Sequence, residues 1–178
     1  MDRRRFLVAG AAMTALAGGA AAAGEERYRF ASIDGGTLDL TEYRGGPVLV
    51  VNTASRCGYT GQYDGLQALW DRYRDRGLTV VGIPSDSFRQ ELRSADAVKE
   101  FCEVNFAIDF PMSDIVAVTG ANAHPFYRWA AREGVTPGWN FHKILLGPDG
   151  EIVRDFPTRM APDAPELVEA VKAQLPRS

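Results

Sequence analysis

The period of apolar residues switches repeatedly along this chain, and each switch marks an element. Pro47-Val48-Leu49-Val50-Val51-Asn52 is an unbroken apolar run between Gly45-Gly46 and a polar stretch, which predicts a strand buried on both faces. Leu66, Leu69, Trp70 and Tyr73 then recur at helical spacing, and Gly77 closes that pattern as a helix C-cap does. Leu78 to Ile83 is a second buried strand, stopped by Pro84. Ser94 is placed to cap a helix whose apolar face is Val98, Phe101, Cys102 and Phe106. A further helical stretch runs from about Pro125 to Arg132. Phe141 to Leu146, the turn Gly147-Pro148-Asp149-Gly150, and Glu151 to Asp155 predict a β-hairpin. Pro165 to Leu175 is a closing amphipathic helix with Leu167, Val168, Val171 and Leu175 on one face, and Tyr28 to Leu40 is a leading hairpin centred on Asp34-Gly35-Gly36.

The predicted order is hairpin, β, α, β, α, α, β, β, α. A parallel β-α-β unit followed by an antiparallel pair and a last helix makes this an α/β chain. It resembles the thioredoxin-like fold, with an N-terminal hairpin and an inserted helix added. No repeat, linker or low-complexity stretch follows residue 26, so residues 24–178 read as one domain.

Residues 1–23 read as an address. Asp2 to Arg5 is a charged head, Phe6 to Ala17 a mildly apolar run of small side chains, and Gly18 to Ala23 a small-residue tail. Arg3-Arg4-Arg5-Phe6-Leu7 resembles the twin-arginine export motif, and Ala21 to Ala23 offers an Ala-x-Ala cleavage site. The competing reading is a retained anchor, but Phe6 to Ala23 is mostly Ala and Gly and falls short of the ~20 strongly apolar residues of a span. The expectation is therefore a twin-arginine-type signal, passage through that export machinery, and a periplasmic or otherwise exported protein with no membrane insertion after cleavage. Such a compartment is kept oxidising.

Charge and composition remove other classes. Lys+Arg total 20 against 23 for Asp+Glu, a net charge of −3 with no basic excess for nucleic acid. Two cysteines and two histidines at the spacings Cys57–Cys102 and His124–His142 match no zinc pattern, and neither metal nor cofactor is expected. His124 is read as structural and His142 as a surface residue.

The chemistry gathers at Cys57. It follows the first buried strand and precedes a helix, the position beyond a strand's carboxyl end where reactive groups collect in open α/β sheets. A helix N-terminus there would favour a thiolate; an inert buried cysteine is the alternative on position alone. The surrounding Asn52-Thr53-Ala54-Ser55-Arg56-Cys57-Gly58-Tyr59-Thr60 closely resembles the Asn-Val-Ala-Ser-x-Cys-Gly-x-Thr signature of the glutathione peroxidase family. Gly82-Ile83-Pro84 with Phe88-Arg89-Gln90-Glu91, then Phe110-Pro111-Met112, His124-Pro125-Phe126-Tyr127 and Trp139-Asn140-Phe141 are similar to further family blocks, in the family's order. The resemblance runs from Tyr28 to the C-terminus.

What it implies is a thiol peroxidase that reduces hydrogen peroxide or organic hydroperoxides through a Cys57 sulfenic acid. Carried over residue by residue, the catalytic set is Cys57, Gln90, Trp139 and Asn140. Carboxamide and indole N–H groups are donors that stabilise a thiolate, and the alkoxide leaving a broken O–O bond, without adding a base. Cys102 falls about where two-cysteine members of the family carry a resolving cysteine. A Cys57–Cys102 disulfide would then be reduced by a thioredoxin-like donor or glutathione. The other reading of Cys102 is a core cysteine on the apolar face of its helix. The stretch between Tyr127 and Trp139 lacks the extra loop of tetrameric family members, which implies a monomer of the thioredoxin-dependent branch. Ser85-Asp86-Ser87-Phe88 departs from the family's Cys-Asn-Gln-Phe, one residue is missing before Gln90, and Leu92 replaces a proline. These departures bear on where the Gln90 amide sits, and on whether Asp86 faces the sulfur.

Rival chemistries of the same fold lack their residues. Cys57-Gly58-Tyr59-Thr60 has no second cysteine for a dithiol exchanger, and Ala54 stands where a peroxiredoxin carries threonine. The non-enzymatic alternative is a peroxide sensor that passes its disulfide to a partner protein.

Overall fold

The computed structural model describes residues 24–177, so the expected signal segment 1–23 lies outside the described residues. A short hairpin pairs β1 (Arg29–Ala31) antiparallel with β2 (Thr37–Asp39). The main sheet is built from β3 (Val48–Thr53), β4 (Thr79–Pro84), β5 (Lys143–Leu146) and β6 (Ile152–Phe156). Its order is β4-β3-β5-β6, with β3 parallel to β4 and the other two pairs antiparallel. The helices are α1 (Gln62–Tyr73), α2 (Ala95–Phe106), α3 (Pro125–Arg132) and α4 (Pro165–Gln174). This is the thioredoxin-like α/β arrangement that the hydrophobic pattern predicts.

Strands β3 and β4 are buried at all six positions, which is why their sequences run apolar without alternation. Alternate residues serve opposite faces. Leu49, Val51, Val80 and Leu145 join α1, α2 and α4 in one core, while Val48, Val50, Val81 and Ile144 meet the β1–β2 hairpin and α3 in the other. Ser94 caps α2 by accepting from Ala97 N, and Gly77 ends the α1 region in left-handed backbone at φ 99°, both as the spacing predicts.

The edge of β4 is closed by an extended segment that carries no strand signal. Gly82 donates to Pro111 O and accepts from Ser113 N, both at 2.9 Å. A side chain at Gly82 would bring its Cβ to 3.1 Å from Met112 Cγ and 3.2 Å from Phe110 Cε2, so this close approach uses the glycine.

Candidate active site

The chain leaves β3 at Thr53 and reaches α1 at Gln62, with Cys57 in the connection. Thr60 N bonds Cys57 O at 3.1 Å and Gln62 N bonds Tyr59 O at 2.9 Å, so successive turns separate the cysteine from the helix. The helix dipole acts mainly on the first turn. Cys57 thus sits farther from it than the sequence suggests, and neighbouring segments take over its placement.

Main-chain bonds draw three segments together. Arg56 N donates to Gln90 O at 2.8 Å, which seats the Gln90 loop beside Cys57. Phe141 N donates to Asn52 O at 2.6 Å, and Asn52 Nδ2 donates to Trp139 O at 3.1 Å. Asn52, the last polar residue of an apolar run, is therefore the hub that fixes Trp139 and Asn140 at the end of β3. Across the resulting gap Asn140 Nδ2 donates to Gln90 Oε1 at 2.9 Å. That bond uses one donor of Asn140 and the acceptor of Gln90, and leaves the Gln90 amide N–H groups as donors. Thr158 Oγ1 fixes the same asparagine from behind by donating to Asn140 O at 2.8 Å.

Of the four residues in the expected set, Asn140 is fully buried, Cys57 is 4% exposed, Gln90 is half-buried and Trp139 is 40% exposed. The Trp139 ring packs on Phe88 with centroids 5.1 Å apart. Gln90 and Asn140 meet directly; among the described residues no side chain hydrogen-bonds Cys57 Sγ. Two non-glycine residues flank the amide pair in left-handed backbone, Arg89 at φ 60° and Phe141 at φ 61°. Each conformation costs about 1–2 kcal/mol for an L-residue.

The altered loop before Gln90 is held by its own substitutions. Ser87 N bonds Ser85 Oγ at 3.2 Å and Val118 N bonds Ser87 Oγ at 2.9 Å. Asp86 Oδ1 accepts from Glu91 N at 3.1 Å, so this carboxylate ties the loop to itself. Glu91 in turn accepts from Ser55 N at 2.9 Å and Leu92 N at 2.7 Å through Oε1. Burial raises its pKa, and the two N–H bonds and the Ser55 hydroxyl act in the opposite direction.

Cys102 is 1% exposed within α2, and neither cysteine is in a disulfide. Burial pushes its thiol up to about 11, against the neighbouring Tyr63 hydroxyl, which lowers it. Its helix ends on Ala107 in left-handed backbone at φ 49°, a position that favours glycine.

Lys143 carries no sequence signal of a role, since it reads as the first polar residue of an apolar strand. Its side chain is fully buried, and Nζ donates to Gln62 Oε1 and Met160 O at 2.5 Å each and to Thr158 O at 3.3 Å. Burial holds its pKa down to about 8. The ammonium thereby joins the start of α1 to the 157–160 loop that supports Asn140.

His142 departs from the surface position expected of it. It is buried beside β5, where both faces of the sheet are covered, and its Nε2 lies 2.9 Å from Asp155 Oδ2. Burial lowers its pKa, and the Asp155 carboxylate opposes that shift. His124 caps α3 through Nδ1, which accepts from Phe126 N at 3.2 Å, and stacks on Phe30 at 3.9 Å. Among the described residues no three His, Cys, Asp or Glu side chains converge on a metal position.

The glutathione peroxidase family model matches residues 26–131. The chain belongs to the glutathione peroxidase family. A protein named glutathione peroxidase from Lactococcus lactis subsp. cremoris is 36% identical over 156 residues, covering 83% of this chain and 98% of that one. A hydroperoxy fatty acid reductase, gpx1, of Synechocystis sp. is 38% identical over 146 residues, covering 74% and 85%. In structure, the apo form of the protein named Trgpx superposes with a TM-score of 0.63 at 28% identity, over 85% of this chain and 97% of that one. As a member of this family the protein is an oxidoreductase, a thiol peroxidase acting on hydroperoxides. No helix among the described residues is long and apolar enough to cross a membrane.

Proposed function

We propose that Cys57 is the peroxidatic residue, and that its thiolate attacks a peroxide oxygen to give a sulfenic acid and water or an alcohol. Gln90, Trp139 and Asn140 supply the donors for the thiolate and the departing oxygen. The observation that carries this reading is the Asn140–Gln90 amide bond, at 2.9 Å, formed beside the main-chain link from Gln90 to Arg56. It fixes the orientation of the Gln90 carboxamide, on a main chain tied to the residue before Cys57, despite the altered loop.

Cys102 is the resolving residue in this reading. It gives a Cys57–Cys102 disulfide once α2 loosens at its end, where the non-glycine Ala107 holds strained left-handed backbone. A thioredoxin-like protein or glutathione then restores the dithiol. Only Glu133 to Gly138 separate α3 from Trp139, which supports the monomeric branch. Residues 1–23 act as a twin-arginine signal, residues 24–178 form the peroxidase domain, and the protein works in the periplasm or otherwise outside the cytoplasm.

The test is peroxide-dependent turnover under two reducing systems, thioredoxin with its reductase and glutathione with its reductase. The reading predicts turnover that Cys57→Ser abolishes and that thioredoxin supports better than glutathione. Equal peroxide consumption by Cys57→Ser contradicts it.

A further inference from the structure

Lys143 places a charge in the core three residues after Asn140. Taking an ammonium out of water is costly, and an apolar side chain of similar volume would fill the same space without that cost. Fold stability alone therefore does not account for a lysine here. Its surroundings are specific. An ammonium has three donors, and three acceptors meet it: Gln62 Oε1 and Met160 O at 2.5 Å each and Thr158 O at 3.3 Å. With its pKa held down to about 8, the side chain stays mostly charged at neutral pH, so every donor is in use.

The three acceptors belong to the two segments that border the gap at Cys57. Gln62 opens α1. Its main-chain N–H donates to Tyr59 O at 2.9 Å, and Thr60 N donates to Cys57 O at 3.1 Å, so Gln62 is bound to the turns that carry the cysteine. Thr158 and Met160 lie in the loop behind Asn140, where Thr158 Oγ1 donates to Asn140 O at 2.8 Å. Gln62 Nε2 closes a triangle by donating to Thr158 O at 2.7 Å. A carboxamide can turn over and exchange its oxygen for its nitrogen. The ammonium on Oε1 holds Gln62 the way round that aims its N–H groups at Thr158.

We propose that Lys143 is a positioning residue for the peroxide step: through Gln62 and Thr158 it sets the Cys57-bearing turns and Asn140 at their working separation. This deepens the Cys57 reading above and rests on it. The step served is Cys57–S⁻ + ROOH → Cys57–SOH + RO⁻. The sulfur is oxidised, the O–O bond is reduced, and Asn140 donates to the departing oxygen. All three Lys143 donors are spent on the frame, so the lysine acts on the reaction through the groups it places. A displacement of about 1 Å at a reacting centre can cost about 10²-fold in rate.

The test is a double-mutant cycle read by stopped-flow oxidation with hydrogen peroxide, at a temperature where circular dichroism shows every variant folded. Lys143→Met keeps the volume and removes the donors. In the otherwise wild-type protein it is expected to lower the second-order rate of Cys57 oxidation about tenfold. In the Asn140→Ala background the same substitution is expected to cost no more than about twofold, because the donor it places is gone. A packing defect would cost the same in both. An equal loss in the two backgrounds, or no loss in either, overturns the assignment and leaves Cys57 peroxidatic. Gln62→Ala removes the acceptor and the bond to Thr158, and is expected to cost about fivefold with the same dependence on Asn140. It decides the matter if Lys143→Met does not fold. Wild type oxidised no faster than free cysteine ends the Cys57 reading and this one with it.

Discussion

Asn140 and Gln90 lie fifty residues apart in sequence and meet through a single 2.9 Å hydrogen bond beside Cys57. Their flanking residues, Phe141 and Arg89, both hold left-handed backbone to make that meeting possible. Local strain at two points is thus maintained by the main-chain bonds that fix Asn52 to Phe141 and Arg56 to Gln90.

Removing either amide should therefore cost the peroxide step and not the fold. Gln90→Ala and Asn140→Ala should each lower the second-order rate of Cys57 oxidation about 10²-fold, the usual effect of losing an oxyanion-type donor. Thr158→Val, which removes only the bond behind Asn140, should cost about fivefold. Stopped-flow oxidation of the three variants gives the comparison.

Lys143 links pH to stability with a definite sign. Its folded pKa of about 8 lies below the ordinary 10.5, so between these values the unfolded chain binds more protons than the folded one. Stability from this residue accordingly rises as pH increases from about 8 to 10.5. Lys143→Met lacks that gain and leaves the Met160 carbonyl without its donor, while Gln62 Nε2 still donates to Thr158 O. Urea unfolding at pH 7.5 and 10 should show wild type gaining on the variant at the higher pH.

Ala107 at φ 49° gives a simpler case. Ala107→Gly relieves the left-handed strain and should stabilise the protein by about 1 kcal/mol, read as a higher denaturant midpoint with an unchanged slope. Because it firms the end of α2, it should also slow disulfide formation relative to sulfenic acid formation.

Gly46 is predicted to tolerate nothing larger. A Cβ there would sit 2.0 Å from the Gly77 carbonyl oxygen, a backbone atom that cannot swing away. Gly46→Ala should lower the melting temperature by several degrees, which corresponds to a loss of about 1–3 kcal/mol.

Much of this architecture is legible because burial on both faces leaves a plain record. Val48–Thr53 and Thr79–Pro84 are continuous apolar runs, and Ser94 and Gly77 mark helix ends by chemistry that leaves few alternatives. Gln90, Trp139 and Asn140 are candidates only through the family blocks that follow the Cys57 motif. Other features depend on contacts that no local pattern encodes. Lys143 looks like an ordinary charge until the 157–160 loop folds over it, and His142 reads as exposed until Asp155 comes beside it. The Asp86 carboxylate could be placed only once the loop closed on Glu91 N. The β4 edge segment at Pro111–Ser113 pairs through isolated bridges, which have no periodic signature.

The most direct test of the account uses Trp139, exposed beside the site, as its reporter. Reduced wild type and Cys102→Ser are mixed with hydrogen peroxide or cumene hydroperoxide, and tryptophan fluorescence is followed with intact mass before and after. A fast change is expected in both, ending in a loss of about 2 Da in wild type and a gain of about 16 Da in Cys102→Ser. Oxidation no faster than that of free cysteine would contradict it.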